Sequence, residues 1–226
     1  MRFGILGTGV VGKTLAAHLT GLGHDVMVGT RAPEETLSRT EPDQYGNPPF
    51  SEWQQEHPEV KLGIFGEAAA YGEMVVNATA GAISLETLDM AGEENLNGKV
   101  LIDISNPLDF SKGMPPTLSV VNTDSLGEQI QMKFPEAKVV KTLHTMNAYL
   151  MVDPAQLAEA DHTVFVCGDD AEAKAKVTDL LGSFGWTDII DLGDITTARG
   201  TEMLLPIWLR LFGALQKPVF NFKIVR

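Results

Sequence analysis

Residues 7–14, GTGVVGKT, match two phosphate-binding motifs at once. Their glycines have the G-x-G-x-x-G spacing of a dinucleotide-binding turn, in which backbone N–H groups approach a pyrophosphate. The same stretch also reads G-x-x-x-x-G-K-T, with Lys13 and Thr14 where a P-loop contacts nucleotide phosphates and Mg²⁺. The first motif predicts a redox enzyme that uses a nicotinamide cofactor, and the second predicts a kinase or ATPase.

The end of the second predicted strand favours the dinucleotide motif. About 20 residues beyond its glycines, such a domain carries an acid for the ribose of NAD or a basic substitute for NADP. This chain has Gly29-Thr30-Arg31 at that place and no acid. The hydroxyl of Thr30 and the planar guanidinium of Arg31 suit the 2′-phosphate of NADP. On this interpretation Lys13 assists with the phosphates or faces solvent.

The P-loop motif has one further supporting feature, which is weak. Residues 100–103, VLID, resemble the apolar strand that ends in a magnesium-binding aspartate. The strand is predicted to continue to residue 105, however, which would put Asp103 in its middle. Four apolar residues followed by an aspartate are also common by chance, so the sequence favours NADP.

Strand and helix patterns alternate along most of the chain, as is typical of a mostly parallel sheet flanked by helices. The predicted strands are residues 1–6, 24–30, 60–65, 74–79, 99–105, 137–142, 163–167 and 187–192. The predicted helices follow the glycine turn as far as residues 21–23, then cover 33–39, a short alanine-rich stretch between 65 and 74, 170–184, and 195–216 with a kink at Pro206. Residues 41–50, with three prolines and a glycine, are predicted to be a loop.

These elements predict a doubly wound Rossmann fold of the α/β class. We expect an NADP-binding domain over residues 1–150. A smaller C-terminal α/β part over residues 151–226 should include the long terminal helix, the acceptor pocket and dimer contacts. Seven residues of that helix are expected in the core and a dimer interface: Met203, Leu204, Pro206, Ile207, Trp208, Leu211 and Phe212.

The composition excludes several classes of partner. A formal net charge of −13, from 30 acidic and 17 basic residues, disfavours nucleic acid and anionic membranes. No apolar stretch reaches the length of a membrane span, and the chain starts with a strand rather than a signal peptide. The single cysteine, Cys167, lies in an apolar run and is predicted to be a core residue, consistent with a reducing cytoplasm. The five histidines lack metal-ligand spacing, so no metal site is expected.

Four further segments carry a family resemblance: VKTLHTMNA at 140–148, VCGDD at 166–170, DLG at 191–193 and ARGTE at 198–202. With the glycine turn, they make nearly the whole chain similar to the NADPH-dependent reductases of the deazaflavin coenzyme F420. The resemblance implies a Rossmann fold, NADP binding, hydride transfer to or from a second flat cofactor, and a homodimer. Asn147 departs from the proline that archaeal members tend to have, and residues 41–58 resemble an insertion.

Hydride transfer between cofactors depends mainly on positioning, at the carboxyl ends of the strands of such a sheet. The residues predicted to bind cofactors are Gly7, Thr8, Gly9, Val10, Val11, Gly12, Thr30, Arg31, Thr79, Ala80, Ser105, Asn106, Pro107, Thr145, Met146 and Asn147. The last three belong to the segment that lines the deazaflavin pocket in the resembling family. His144 is either a catalytic group that hydrogen-bonds the acceptor ring or a neutral histidine that satisfies buried backbone.

The predicted function is hydride transfer between NADPH and coenzyme F420 or a related flat acceptor, by a cytoplasmic homodimer. Within the oxidoreductases, the alternative acceptors are another flavin, as in the cytosolic domain of six-transmembrane ferric reductases, a metal, or an imine. Outside that class, the alternatives are a non-catalytic NADP sensor and the Mg-ATP enzyme of the P-loop motif.

Overall fold

The computed structural model describes residues 1–43 and 46–226. Its strands are β1 (Arg2–Leu6), β2 (Asp25–Thr30), β3 (Lys61–Ile64), β4 (Met74–Asn77), β5 (Val100–Asp103), β6 (Leu108–Asp109), β7 (Thr117–Leu118), β8 (Lys138–Thr142), β9 (Thr163–Cys167) and β10 (Asp188–Asp191). Its α-helices are α1 (Val10–Gly21), α2 (Pro33–Ser38), α3 (Phe50–Glu56), α4 (Phe65–Tyr71), α5 (Ser84–Ala91), α6 (Glu93–Leu96), α7 (Leu126–Lys133), α8 (Ala148–Val152), α9 (Ala171–Ser183), α10 (Ala198–Glu202) and α11 (Leu205–Leu215).

Eight of the strands form one sheet in the order β10-β9-β8-β5-β4-β1-β2-β3. Every neighbouring pair is parallel except β8 and β9, which are antiparallel. The strands β4, β5 and β9 are buried along their whole length, as their continuous apolar sequences require, and a hydrophobic cluster covers each face of the sheet. The predicted doubly wound α/β fold is confirmed. The strands β6 and β7 pair separately as a short antiparallel hairpin.

The glycine turn between β1 and α1 has a steric basis. A Cβ atom on Gly12 would lie 2.1 Å from the backbone oxygen of Gly7, so only glycine lets α1 pack this closely on the turn. Gly7 itself has a φ of 119°, which L-residues with side chains rarely adopt. The helix that follows buries Leu15 and Leu19 against the sheet. The predicted strand–turn–helix unit is therefore correct.

The strand β5 is shorter than predicted, and the correction moves Asp103 from mid-strand to the strand end. The carboxylate of Asp103 accepts hydrogen bonds from both the backbone N–H and the hydroxyl of Ser105. This local turn competes with the extended conformation, so the strand ends at Asp103.

The predicted helix over 195–216, kinked at Pro206, is instead divided into separate helices, with a break just before that proline. The segment forms a short 3₁₀ turn at 195–197 and then α10 and α11, which are separated by Met203 and Leu204. Pro206 lies in the first turn of α11, where its missing N–H is tolerated, and its ring would clash with a carbonyl four residues earlier in a continuous helix. That position is Glu202, where α10 ends.

The C-terminal part completes the same sheet. Its strands β9 and β10 extend the sheet beyond β8, and the terminal segment returns along β9, where the carbonyl of Phe222 accepts from the N–H of Thr163. In the predicted loop over 41–50, the described residues 41–43 and 46–49 contain no helix or strand, and residues 44 and 45 lie outside the described residues. No helix in the described part of the chain is long and apolar enough to cross a membrane.

Candidate functional site

The amino end of α1 forms an anion-binding turn. Gly9 caps the helix without a side-chain hydrogen bond, and the first turn contains no acidic residue. The first N–H groups of a helix lack partners within it, and the helix dipole adds partial positive charge there. A Cβ atom on Gly9 would meet no atom within 4 Å, so open space lies beside these donors. This geometry fits a pyrophosphate.

A cavity of about 450 Å³ adjoins this turn at the carboxyl ends of β1, β2 and β4. Its lining residues are Gly7, Thr8, Gly9, Thr30, Arg31, Ala32, Glu35, Thr36, Arg39, Phe65, Ala78, Thr79, Ala80 and Ile83. Seven of the predicted cofactor-binding residues thus share one cavity. We call it the polar chamber.

Two arginines of the polar chamber are paired with glutamates. Arg31 Nη2 lies 2.9 Å from Glu86 Oε1, and Arg39 Nη2 lies 3.0 Å from Glu35 Oε1. All four side chains are largely exposed, so these pairs are weak and a phosphate can replace the carboxylates. The sequence did not identify Arg39, because its approach to the chamber depends on the length of α2.

The hydroxyl of Thr30 is less available than its sequence position suggested. Thr30 is buried, and its Oγ1 lies 2.8 Å from Oγ1 of Thr36 in α2. Either oxygen can donate in this pair, so one hydroxyl proton remains for a ligand. Thr36 belongs to the same chamber and was not predicted.

A second cavity, of about 920 Å³, meets the polar chamber at residues 78–80. It is lined mainly by apolar and small residues: Val11, Ala78, Thr79, Ala80, Gly81, Ala82, Ile104, Ser105, Asn106, Leu108, Phe110, Gly113 and Met114. We call it the ring chamber. Phe110 and Met114 are 50% and 71% exposed, so their apolar side chains are available to a ligand in this chamber. Sequence reasoning missed both residues, although exposed apolar side chains in a loop with glycine and proline are a recognisable feature.

The hydroxyl groups at the ring chamber donate their hydrogen bonds to neighbouring protein side chains. Thr79 Oγ1 donates to Asn77 Oδ1 at 2.7 Å, and Ser105 Oγ donates to Asp103 Oδ1 at 2.7 Å. With their protons engaged, these oxygens offer only lone pairs to a ligand, and Ser105 Oγ has one left because it also accepts from Ser84 Oγ at 3.3 Å. The chamber therefore suits a ligand that donates hydrogen bonds at this edge, such as a carboxamide –NH₂.

The segment 143–148 lies behind the ring chamber. His144, Thr145 and Met146 are buried and line neither chamber, and the side chain of Asn147 caps α8 by accepting from the N–H of Leu150. The segment contacts the chamber through Asn106, whose Nδ2 donates to the carbonyl of His144 at 2.9 Å. Pro107 also lies outside the lining, and its carbonyl accepts from the N–H of Ser119.

The imidazole of His144 is neutral. It is only 3% exposed, and burial, reinforced by the nearby ammonium of Lys141, lowers its pKa well below the usual value. Within the described residues, neither ring nitrogen has a hydrogen-bond partner. The backbone of Thr142 and of Thr201 lies near the ring and partly offsets the lowering of the pKa, although neither contact has full hydrogen-bond geometry. The structure therefore agrees with the second interpretation, a neutral histidine against buried backbone.

Lys13 does not reach the glycine turn. Its Nζ donates to the carbonyl of Pro48 at 2.6 Å, and with Val10 it lines a separate cavity. Burial lowers its pKa, and the charges of Asp43 and Glu52 partly offset that effect. Neither expectation for Lys13, a phosphate contact or a solvated side chain, is correct. Lys13 thus lacks the position that a P-loop requires, and the Asp103 carboxylate contacts Lys141 and Ser105 instead of facing the glycine turn.

A buried ionic network lies beneath the strand ends. Lys141 Nζ lies 2.7 Å from Asp103 Oδ2, 2.9 Å from Glu202 Oε1 and 2.6 Å from the carbonyl oxygen of Ser105. Glu202 also accepts from the N–H groups of Leu126 and Gly127 at the start of α7. This network ties α10 and α7 to the loop that lines the ring chamber. Sequence reasoning missed it, although charged residues inside two buried strands pointed to paired partners.

Two further kinds of site remain to be considered, a metal-binding cluster and a reactive thiol. Among residues 1–43 and 46–226, no group of three histidine, cysteine, aspartate or glutamate side chains is placed to hold a metal ion. Cys167 is buried, as predicted for a core residue, and burial raises the pKa of its thiol to about 11. It is therefore a neutral thiol at physiological pH.

The family model described as "NADP oxidoreductase coenzyme F420-dependent" matches residues 2–107. A crystal structure of a protein from Arthrobacter sp. FB24, described as a candidate F420-dependent NADP reductase, is 63% identical with a TM-score of 0.95, covering 100% of this chain and 99% of that one.

Two curated relatives are more distant. Metalloreductase STEAP3 of Rattus norvegicus is 29% identical over 211 residues, which are 92% of this chain but only 38% of that protein. The F420-dependent NADP reductase of Methanocaldococcus jannaschii is 30% identical over 146 residues, which are 64% of each chain. The chain thus spans less than two thirds of the length of either relative.

Proposed function

The chain belongs to the family of F420-dependent NADP oxidoreductases, and from that premise we propose that it transfers a hydride between NADPH and a deazaflavin of the F420 type. The observation that carries this proposal is the pair of chambers that meet at residues 78–80. One chamber has arginines and a helix amino end, and the other is larger, mostly apolar and open to a flat ring. A dinucleotide that spans both leaves room for a second ring system.

The polar chamber is proposed to hold the adenine nucleotide and the pyrophosphate. The N–H groups at Val10 and Val11 donate to the pyrophosphate, and the open space at Gly9 admits it. Arg31 and Arg39 bind the 2′-phosphate after exchanging their glutamate partners, and we therefore expect NADPH to bind more tightly than NADH.

In the ring chamber, the protein's part is orientation and exclusion of water. When bound, NADPH supplies a hydride from C4 of its nicotinamide ring, which leaves with both bonding electrons and becomes a C–H bond of the acceptor, while a proton from solvent completes the reduced acceptor. Thr79 and Ser105 accept from the carboxamide and so fix the ring plane. Phe110 and Met114 cover the acceptor and exclude water from the reacting carbons.

His144 is proposed to act through Asn106 rather than as an acid. Its ring is neutral and lies behind the chamber wall, while its carbonyl holds the Asn106 amide that borders the chamber. In the same way, Thr145 and Met146 support the acceptor from behind, and Asn147 holds α8 in place. No side chain in this proposal carries a proton to the reacting atoms.

A homodimer is part of the proposal. The helix α11 buries only Leu205 within the protomer, while Ile207 and Phe212 are exposed and Trp208 stacks on Phe220 at its side. An exposed apolar helix of this kind calls for a cover, and a second copy of the chain is the cover that the family resemblance implies. We also propose a cytoplasmic location, which the single reduced cysteine supports.

The test is an acceptor panel under anaerobic conditions. The purified protein is mixed with NADPH and, separately, with F420, FMN, a ferric chelate and a cyclic imine, and NADPH oxidation is followed by absorbance. F420 is expected to give the fastest turnover, and Phe110→Ala should raise the KM for F420 more than that for NADPH. If FMN, the chelate or the imine gives the fastest turnover, that compound rather than F420 represents the acceptor. NADPH binding without turnover on any acceptor would identify a sensor instead.

A further inference from the structure

The proposed mechanism makes no use of the carboxylates beneath the ring chamber. Asp103 and Glu202 are fully buried, and the ammonium of Lys141 lies between them. Asp103 Oδ1 accepts from Asn77 Nδ2 at 2.9 Å and from the N–H and hydroxyl of Ser105 at 3.1 and 2.7 Å. Every polar contact of the two carboxyl groups is with a donor, so both act only as acceptors.

The network therefore carries one net negative charge, since two carboxylates share one ammonium. Its titratable neighbours do not cancel that charge. His144 is neutral because burial and Lys141 lower its pKa, and Cys167 keeps its proton because burial raises its pKa to about 11. The amino end of α7, which Glu202 caps, offsets part of the charge at the Glu202 side.

Asp103 is linked to the lining of the ring chamber through two residues, whereas Lys141 is linked to it only through the carbonyl of Ser105. Ser105, which lines that chamber, bonds directly to the Asp103 carboxylate. Asn77 bonds to the same carboxylate and receives the hydroxyl of Thr79, which also lines the chamber. Glu202 is further from the chamber, because Lys141 lies between it and Asp103.

We propose that Asp103 is a positioning residue whose charge also favours the oxidised form of the bound dinucleotide and so makes NADPH a stronger hydride donor. This inference rests on the proposed function, because it takes the nicotinamide to lie in the ring chamber. A nicotinamide ring that has lost its hydride and both electrons is a cation, and a buried carboxylate nearby stabilises it more than the neutral reduced ring. Lys141 holds that carboxylate in place without neutralising the network.

The test compares the affinities of the two dinucleotide forms in the absence of any acceptor. Titration calorimetry gives the Kd of NADP⁺ and of NADPH for the wild type and for Asp103→Asn. The ratio of Kd for NADP⁺ to Kd for NADPH is expected to rise on the order of threefold to tenfold in the variant. A merely structural role would weaken both forms alike and leave the ratio unchanged.

Two further variants supply a second, weaker test and a control. Glu202→Gln removes a carboxylate one step further from the chamber and should raise the ratio by a smaller factor. It carries the test if Asp103→Asn does not fold. Asp191→Asn removes an exposed carboxylate from β10, three strands away from β5, and should leave the ratio unchanged.

If Asp103→Asn and Glu202→Gln both bind the two dinucleotide forms with an unchanged Kd ratio, the inference about Asp103 is wrong while the proposed function stands. An equal rise with Asp191→Asn also overturns it, because the effect would then come from the overall charge of the protein. If the wild type binds neither form, the proposed function fails together with the inference.

Discussion

Two regions of the site are built in different ways. In the turn region, residues 1–40, the decisive contacts join near neighbours, as where the backbone oxygen of Gly7 lies 2.1 Å from the Cβ position at Gly12. In the network region, the ends of β5 and β8 with α10, the decisive contacts join distant residues. Lys141 pairs with Asp103 38 residues away, and Glu202 accepts from an N–H 76 residues away. Contacts between near neighbours require residue types at fixed spacing, which form a motif in the sequence, whereas contacts between distant residues do not.

The largest expected effect belongs to the network region. Lys141→Met removes the buried ammonium and leaves two carboxylates without their cation, so the free energy of unfolding should fall by about 3–5 kcal/mol. Urea unfolding measures this loss. The control is Lys133→Met, which breaks a pair between two exposed side chains, Lys133 and Asp89, and should cost less than about 1 kcal/mol. Equal losses in the two variants would mean that the network does not hold this region together.

The next effect belongs to ligand binding in the turn region. Arg31→Ala should weaken NADPH binding by roughly tenfold to a hundredfold, because a charge-assisted contact with the 2′-phosphate is lost, and should leave NADH binding unchanged. Arg39→Ala should have a smaller effect in the same direction. Fluorescence titration gives both affinities, with Arg226→Ala, which pairs with Asp188, as the control. Equal weakening of NADH would place Arg31 outside the phosphate site.

A steric variant in the same region tests how much the close packing of the glycine turn contributes to stability. Gly12→Ala puts a methyl group against backbone and should cost about 1–3 kcal/mol of stability. Gly21→Ala, at the other end of α1, meets no atom within 4 Å and should be neutral or stabilising. Thermal unfolding measures both changes. A Gly12→Ala protein as stable as the wild type would show that the close approach of α1 is dispensable.

The smallest effect is a pH dependence from the network region. The folded-state pKa of His144 lies below that of the unfolded chain, so the unfolded chain takes up the proton first as the pH falls below about 6.5. Stability is therefore lost on acidification, by at most about 1.4 kcal/mol per pH unit from this residue. His144→Gln should reduce the slope of stability against pH between 6.5 and 5. An unchanged slope would assign the acid sensitivity to other groups, such as His18 and His24.

The turn region shows how much the sequence could predict. The glycine turn, the strands on either side and the residues around Arg31 were identified because each depends on a stretch of about 30 residues with fixed spacing. Even in this region, the direction of the Lys13 side chain could not be predicted from the sequence. Its side chain turns to the carbonyl of Pro48, in a loop that no motif describes.

The acceptor side was predicted less well for the same physical reason. The segment 143–148 was expected to line the acceptor pocket, and that stays a prediction; its residues do not line the ring chamber, whereas Phe110 and Met114 do. Their position depends on the hairpin of β6 and β7, whose two-residue strands leave almost no periodicity in the sequence. At Pro206 the sequence predicted a kink rather than a full break before α11, because the apolar pattern of residues 195–216 continues across it.

The central claim, direct hydride transfer within one cleft, is tested most directly by isotope transfer. NADPH carrying deuterium at the transferring position of C4 is mixed with the protein and F420 in ordinary water, and the reduced acceptor is analysed by mass spectrometry. The account predicts one deuterium per molecule of reduced acceptor, bound to carbon and retained in water. Reduced acceptor without deuterium, formed at the same rate, would contradict it, because the electrons would then have travelled without the hydrogen.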